Sequence, residues 1–333
     1  MKLSRRMIAL AFGAIATAAI DLSAADVAFA QGATDRPLRI VVPYPAGGPT
    51  DALARLIAKE IQEAHKRTAI VENKPGASGA IGSRDVARAQ PDGSTLVLGT
   101  NQTHITNAVL LRDPGYDAVG DFVGVAGLAG LQHALVVPKS TDAGNKRWAG
   151  DLVAKAKAAP GKLNYGSTGL GSGSHLAMEL FAARAGLSMT HVPFRGAAPM
   201  AIELVAGRID AAFATLPSVL GQIQAGEIVA LGLASAQRAP QLPGLPLLVQ
   251  QGFKDSEADA WLALFAPRAT PGDVVKVLSE QVTALMRKPE VTAAATKLGM
   301  VVDVRDSVAF ATFLADERRK WLEVVRVAGL KAE

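Results

Sequence analysis

The chain has 333 residues, a formal charge of +5, no cysteine and 5% aromatic residues. The missing thiols exclude disulfides, a thiol nucleophile and a cysteine-built zinc site. The basic residues are scattered with no long Lys/Arg run, which argues against a nucleic-acid partner, and so few aromatic faces suit a sugar cleft poorly.

The start of the chain reads as an export signal. Lys2, Arg5 and Arg6 precede an apolar run over 7–20, and Ala28-Phe29-Ala30 fits a signal-peptidase site. The run is too short to span a bilayer comfortably, and Asp21 closes it. We therefore expect residues 1–30 to be a cleaved signal peptide and the mature protein to be periplasmic; the Sec and twin-arginine routes both stay open. The chain lacks the cysteine that a lipoprotein needs at its cleavage site, so we expect no lipid anchor.

From there strand, glycine turn and helix recur. Residues 38–42 form an Ile/Val-rich strand, "PYPAGGPTD" a turn, and Leu53, Leu56, Ile57 and Ile61 one face of a helix that Thr50 or Asp51 can cap. A second unit follows with the strand 69–71, the loop "ENKPGASGAIG" and a helix through Val86 to Ala89. "QPDGS" then turns into a strand over 95–98. Residues 123–137 read as one or two extended passes, and Asp151 as the cap of a helix that Pro160-Gly161 ends. "KLNYGSTGLGSGSHLAMELF" repeats strand, glycine loop and helix. Beyond it come a strand near 191–194, a helix over 198–205, a strand over 209–214, a helix from Pro217 and a strand over 228–233. The link "RAPQLPGLP" precedes the extended "WLALFAP", and helices are expected over 271–286, 289–298 and 307–327.

Such alternation predicts α/β layers with largely parallel sheets. Extended passes near 131–137 and 261–265 bracket a middle block, which predicts two lobes joined by two crossing strands. Lobe 1 is expected to hold 31–133 and 262–333, and lobe 2 to hold 134–261. Ligands bind beyond the carboxyl ends of strands in open α/β sheets, which places the glycine loops of both lobes at one cleft.

Each of those loops starts with a tyrosine at a strand end, Tyr44 or Tyr165, and runs through glycines into a helix start. Unpaired N–H groups and the helix dipole there attract an anion without a charged side chain. A tight βα turn satisfies the same pattern. Ser167, Thr168, Ser172 and Ser174 offer hydroxyls, or helix caps. His175 has the choice of ligand contact or packing, and Arg195 in "PFRG" that of carboxylate fork or surface ion pair. Asp51 reads as a cap. The five histidines lack metal-ligand spacing, no Gly-x-Ser-x-Gly elbow exists, and Gly166 to Ser172 has P-loop spacing without its lysine. No metal, cofactor or catalytic constellation is read.

The ordered set "IVVPYPAGG", Asp51 and Arg55, "NKPGASGAIG", "PDGSTL", "PGKLNYGSTGLGSGSHLAMELF", "HVPFRG", "AGRIDAAF" and "LFAPRATP" resembles the substrate-binding receptors of tripartite tricarboxylate transporters, the Bug family. The resemblance implies a two-lobed periplasmic binding fold (type II-like) that closes on a small organic acid and serves membrane transporter subunits, without enzymatic activity. It implies that the two glycine loops hold the carboxylate, largely through backbone N–H groups and ordered water. By motif this points to Tyr44, Ala46, Gly47, Gly48, Ser167, Thr168, Gly169 and Ser172, and further to Ser78 and Arg195. A monomer is expected. Two departures from the family pattern, Leu262-Ala263 after Trp261 and His104 in "LGTNQTHITN", fall where ligand selection is expected. A sensor for a membrane kinase and a secreted hydrolase are the alternative readings.

Overall fold

The structure is a computed structural model that describes residues 36–141 and 148–332; the expected signal segment, 1–30, lies outside them. Strand β1 (Leu38–Val42) is buried but for Arg39, and it leads through the turn at 43–48 into helix α1 (Pro49–His65). Pro49 suits the first helical turn because its missing N–H has no intrahelical partner there. Leu53, Ala54, Ile57 and Ile61 bury one face of α1, and Lys66 closes it in the left-handed region. Strand β2 (Ala69–Asn73) and strand β3 (Thr95–Gly99) both pair with β1 in parallel, and helix α2 (Ala80–Ala87) lies between them in sequence.

A segment without an expected element follows: a wide π-type turn over Gln102–Thr106 runs into the short helix α3 (Asn107–Leu110). Strand β4 (Phe122–Leu131) then passes at Gln132 into strand β5 (His133–Pro138), the first crossing between sheets. The second lobe continues with α4 (Ala149–Ala158), β6 (Asn164–Ser167), α5 (Gly173–Ala185) and β7 (Thr190–Pro193). It is completed by α6 (Ala197–Val205), β8 (Ala211–Thr215), α7 (Leu216–Gln224) and β9 (Ile228–Leu233). The chain returns to the first sheet in β10 (Ala260–Pro267), and α8 (Gly272–Met286), α9 (Pro289–Lys297), β11 (Val301–Arg305) and α10 (Ser307–Val327) end it.

The first sheet runs β11-β4-β10-β3-β1-β2 and the second β7-β6-β8-β5-β9. The two-lobed α/β expectation holds, but largely parallel sheets do not. β10 lies antiparallel between β3 and β4, β11 is antiparallel to β4, and β5 is antiparallel to both β8 and β9. The cause is topological: β5 and β10 enter a sheet from the other lobe, so helical crossovers do not set their direction. All eight residues of β10 are buried, which explains its unbroken apolar sequence.

One buried apolar cluster runs from Val41, Val97 and Phe265 to Phe181 and Phe213 and so joins the lobes. Helix α10 seats Phe310 directly on β4, where a Cβ on Gly124 or Gly127 would come within 2.8 or 2.9 Å of its ring. Glycine is what permits that approach. His104, placed by sequence at the ligand, packs in the core instead. It is 2% exposed and stacks on Phe265 at 3.6 Å, and its pKa falls to about 3 through burial. Leu262 and Ala263 are buried within β10. Among the described residues no helix is long and apolar enough to cross a membrane.

Candidate functional site

The turn between β1 and α1 is exposed at Pro45, Ala46 and Gly47, and Gly47 takes the left-handed φ of +85° that its tight shape requires. The expected capping role of Asp51 is not what the structure shows. Gly48 is the N-cap, and no side chain bonds there. Asp51 instead folds back on the turn, accepting the Gly47 N–H (3.0 Å), the Asn73 amide (3.0 Å) and the Arg55 guanidinium (3.0 Å). These donors hold its carboxyl below the usual range against the opposing effect of burial. Gly47 therefore donates inward, while the N–H groups of Ala46 and Gly48 meet no acceptor among the described residues. Tyr44 braces the turn from beneath through Thr100 Oγ1 (2.7 Å) and Gln102 Oε1 (3.1 Å), and burial pushes its phenol up.

The loop between β6 and α5 is more tightly knit. Ser172 is 2% exposed and caps α5 by accepting the His175 N–H (3.3 Å). Ser174 Oγ accepts the Thr168 N–H (2.9 Å) and lies 3.1 Å from Thr168 Oγ1. Ser167 is fully buried; its Oγ meets His191 Nε2 at 2.7 Å and accepts the Gly169 N–H (3.2 Å). Beneath it the rings of Tyr165, His191 and His175 stack, with His191 and His175 4.0 Å apart. His175 Nδ1 accepts the Gly171 N–H (3.1 Å), and Tyr165 donates to Glu179. Burial lowers the pKa values of His175 and His191 to about 3 and about 4, so both are neutral. Hydroxyls and histidines thus shape the loop, and the N–H of Leu170 is left without an acceptor among the described residues.

The two loops meet. Leu170 O accepts from Gln102 Nε2 (2.9 Å) and Ser78 Oγ (3.2 Å), and Gly171 O accepts from Thr106 Oγ1 (2.7 Å). Ser78 sits in the left-handed region at φ +54°, and its own carbonyl accepts from Asn107 Nδ2 (3.0 Å). Strained backbone of this kind persists only where its surroundings hold it. On the opposite rim a Cβ on Gly196 would lie 3.6 Å from Pro45, so Arg195 stands beside the first loop. Arg195 is exposed and makes no ion pair or hydrogen bond among the described residues. Ser78 thus meets the loop that carries Ser167, Thr168, Gly169 and Ser172, while the loop of Tyr44, Ala46, Gly47 and Gly48 lies against Gly196, next to Arg195. Gln102, Thr106 and Asn107 were missed; their signal is a polar set at i, i+4 and i+5 behind Thr100, which accepts the His104 N–H (3.0 Å).

A glycine loop of the second lobe held by side chains of the first, with free N–H groups and a free guanidinium nearby, suits a solute receptor. The sequence matches the tripartite tricarboxylate transporter family receptor over residues 53–330. The chain belongs to this family. BugT of Bordetella pertussis is 31% identical over 302 residues, 89% of this chain and 90% of that protein. R. palustris Rpa4515 with adipate superposes with a TM-score of 0.85 at 34% identity, covering 90% of this chain and 99% of that one. MatC from Rhodopseudomonas palustris with bound malate gives a TM-score of 0.80 at 30% identity, over 87% and 99%. The periplasmic binding protein BugD gives 0.81 at 28%, over 90% and 99%. The family is one of substrate-binding receptors.

Proposed function

We propose that this receptor captures a small organic carboxylate in the periplasm, between lobes formed by 31–133 with 262–333 and by 134–261, and delivers it to the membrane subunits of its transporter. The observation that carries the reading is the junction itself, where Ser78, Gln102 and Thr106 of one lobe hold the carbonyls of Leu170 and Gly171 in the other. A ligand touching both loops favours that closed arrangement by its differential affinity for it. The free N–H groups of Ala46 and Gly48, at the positive end of α1, receive one carboxylate. Arg195 supplies a bidentate fork from the other lobe. Tyr44, Gly47, Ser78, Ser167, Thr168, Gly169 and Ser172 fix the loop shapes around it.

Malate and adipate in two relatives support a dicarboxylate. Binding proceeds without turnover. The nearest thing to a nucleophile–base pair is Ser167 with His191, and Ser167 is buried with its hydroxyl already engaged by Gly169. The protein acts as a monomer.

The test is a thermal-shift screen of residues 31–333, stripped of ligand by unfolding and refolding, against mono-, di- and tricarboxylates, amino acids and sugars. A ligand at a hundred times its dissociation constant adds about 2.7 kcal/mol. A shift with one class of acid is expected. A flat response to every acid, or a response to sugars alone, would overturn the assignment.

A further inference from the structure

The hinge contains a cavity of about 240 Å³ that shares no residue with the two glycine loops. Both connections between lobes build it. Gln132 stands at the first crossing and Asp259 immediately before β10 at the second, with Ser235 at the end of the second sheet. Gln132 Nε2 donates to Ser235 Oγ (2.9 Å) and to Gln237 O (2.7 Å). Ser235 in turn donates to Asp259 Oδ2 (2.7 Å).

That order of donors uses every available proton and leaves two acceptors over. Gln132 Oε1 and Asp259 Oδ1 are buried with no hydrogen-bond partner among the described residues, and Gln132 is only 2% exposed. Buried polar atoms are nearly always paired, so two orphans on one hydroxyl-linked network ask for a donor from outside the chain.

The charges around the cavity narrow what that donor is. Arg305 pairs with Asp303 (2.6 Å), and Lys320 with Glu317 (3.4 Å). Glu317 Oε2 also takes the indole N–H groups of Trp261 (3.1 Å) and Trp321 (2.7 Å). Asp259 is the charge left without an ion pair, and its burial raises the pKa to about 6, against the pull of Ser235 and Lys320. Water would satisfy the hydrogen bonds but not the charge. A metal ion lacks ligands, since no cluster of three His, Asp or Glu side chains exists among the described residues. Trp261 and Phe310 supply an apolar wall, while the Phe313 ring is already covered by the Arg305 guanidinium, 3.7 Å from its centroid; an aromatic face favours an organic cation.

We propose that the hinge cavity is a second ligand site, taking a small primary ammonium whose head donates to Asp259 Oδ1 and Gln132 Oε1 and whose carbon body lies against Trp261 and Phe310. A cavity of roughly 150 Å³ suffices for benzene, so a single ring with an ammonium arm fits here. The head group ties the two crossings together, and its occupancy therefore biases lobe closure from the hinge. This site does not depend on the carboxylate reading.

The experiment is calorimetric titration, with parallel thermal shift, of the protein with benzylammonium and ethylammonium chloride. Sodium chloride and tetramethylammonium chloride at equal ionic strength are the controls. We expect saturable benzylammonium binding, at least tenfold weaker in Asp259→Asn and in Gln132→Met, and no comparable effect of tetramethylammonium, which has no N–H to donate. Two variants on separate crossings protect the test against a folding defect in either. Absence of binding beyond the sodium control would mean that the cavity holds water only and would overturn the proposal. Equal binding of tetramethylammonium, or undiminished binding in folded Asp259→Asn, would overturn it as well.

Discussion

Replacing Thr106 by Val removes one oxygen and leaves the side-chain shape in place. In the closed arrangement Thr106 Oγ1 donates to Gly171 O at 2.7 Å, and both residues are buried. When the lobes part, water takes over that carbonyl, so the substitution costs little in the open state. In the closed state a buried acceptor is left unpaired, a loss of about 1–2 kcal/mol. Because the ligand is held by the closed state, the whole penalty falls on binding. Affinity should therefore drop roughly 5- to 30-fold. The assay is calorimetric titration with whichever acid gives the largest thermal shift, beside urea unfolding of the ligand-free protein. Ligand-free stability should be nearly unchanged. An unchanged dissociation constant would refute the reasoning. So would an equal loss of ligand-free stability, because the contact would then not be one that closure makes.

Arg195→Gln should weaken carboxylate binding about tenfold or more, through loss of a charge-assisted pair. Stability should move by less than about 0.5 kcal/mol, because the side chain is exposed and makes no hydrogen bond or ion pair among the described residues; titration and urea unfolding read the two effects separately. Phe310→Ala should cost about 3–5 kcal/mol in urea unfolding, since the glycines of β4 beneath the ring offer nothing to fill the void. Stability should also fall in acid. Burial lowers the pKa values of His104 and His175 to about 3 and those of His133 and His191 to about 4, so the unfolded chain binds protons that the folded one refuses. Their contribution is fully present above the unfolded histidine pKa of about 6.5 and is lost as pH falls toward 4. Asp259, raised to about 6, works in the opposite direction over the lower part of that window. Unfolding midpoints at pH 7.5, 6 and 4.5 should decline in that order, and a flat profile would contradict the buried, neutral histidines.

Local chemistry in the sequence was enough for the punctuation of the fold. Glycines, prolines and apolar periodicity marked both βα loops, the crossing passes and the three C-terminal helices, because φ preferences and amphipathic faces act within a few residues. The family pattern was legible because short contiguous motifs carry it, the two glycine loops among them. The turn and helix at 102–110 were not legible. That stretch is polar, and long-range bonds such as Gln102 to Leu170 and Thr106 to Gly171 help hold it. Strand direction was also hidden, since the antiparallel entry of β5 and β10 follows from the lobe exchange and not from their own residues. Only tertiary structure decided which donors in the loops stay free, because Asp51 consumes the Gly47 N–H while that of Ala46 meets no acceptor among the described residues. It alone turned Ser167 toward His191 and His104 into the core, whereas the Ser172 cap is a local bond that the sequence already offered. The same holds for the hinge: Gln132, Ser235 and Asp259 are more than a hundred positions apart at the extremes, and nothing local to any of them foretells a shared cavity. A sequence fixes which groups a chain carries and how each bends its own backbone; which of them face one another depends on contacts whose partners lie far away along it.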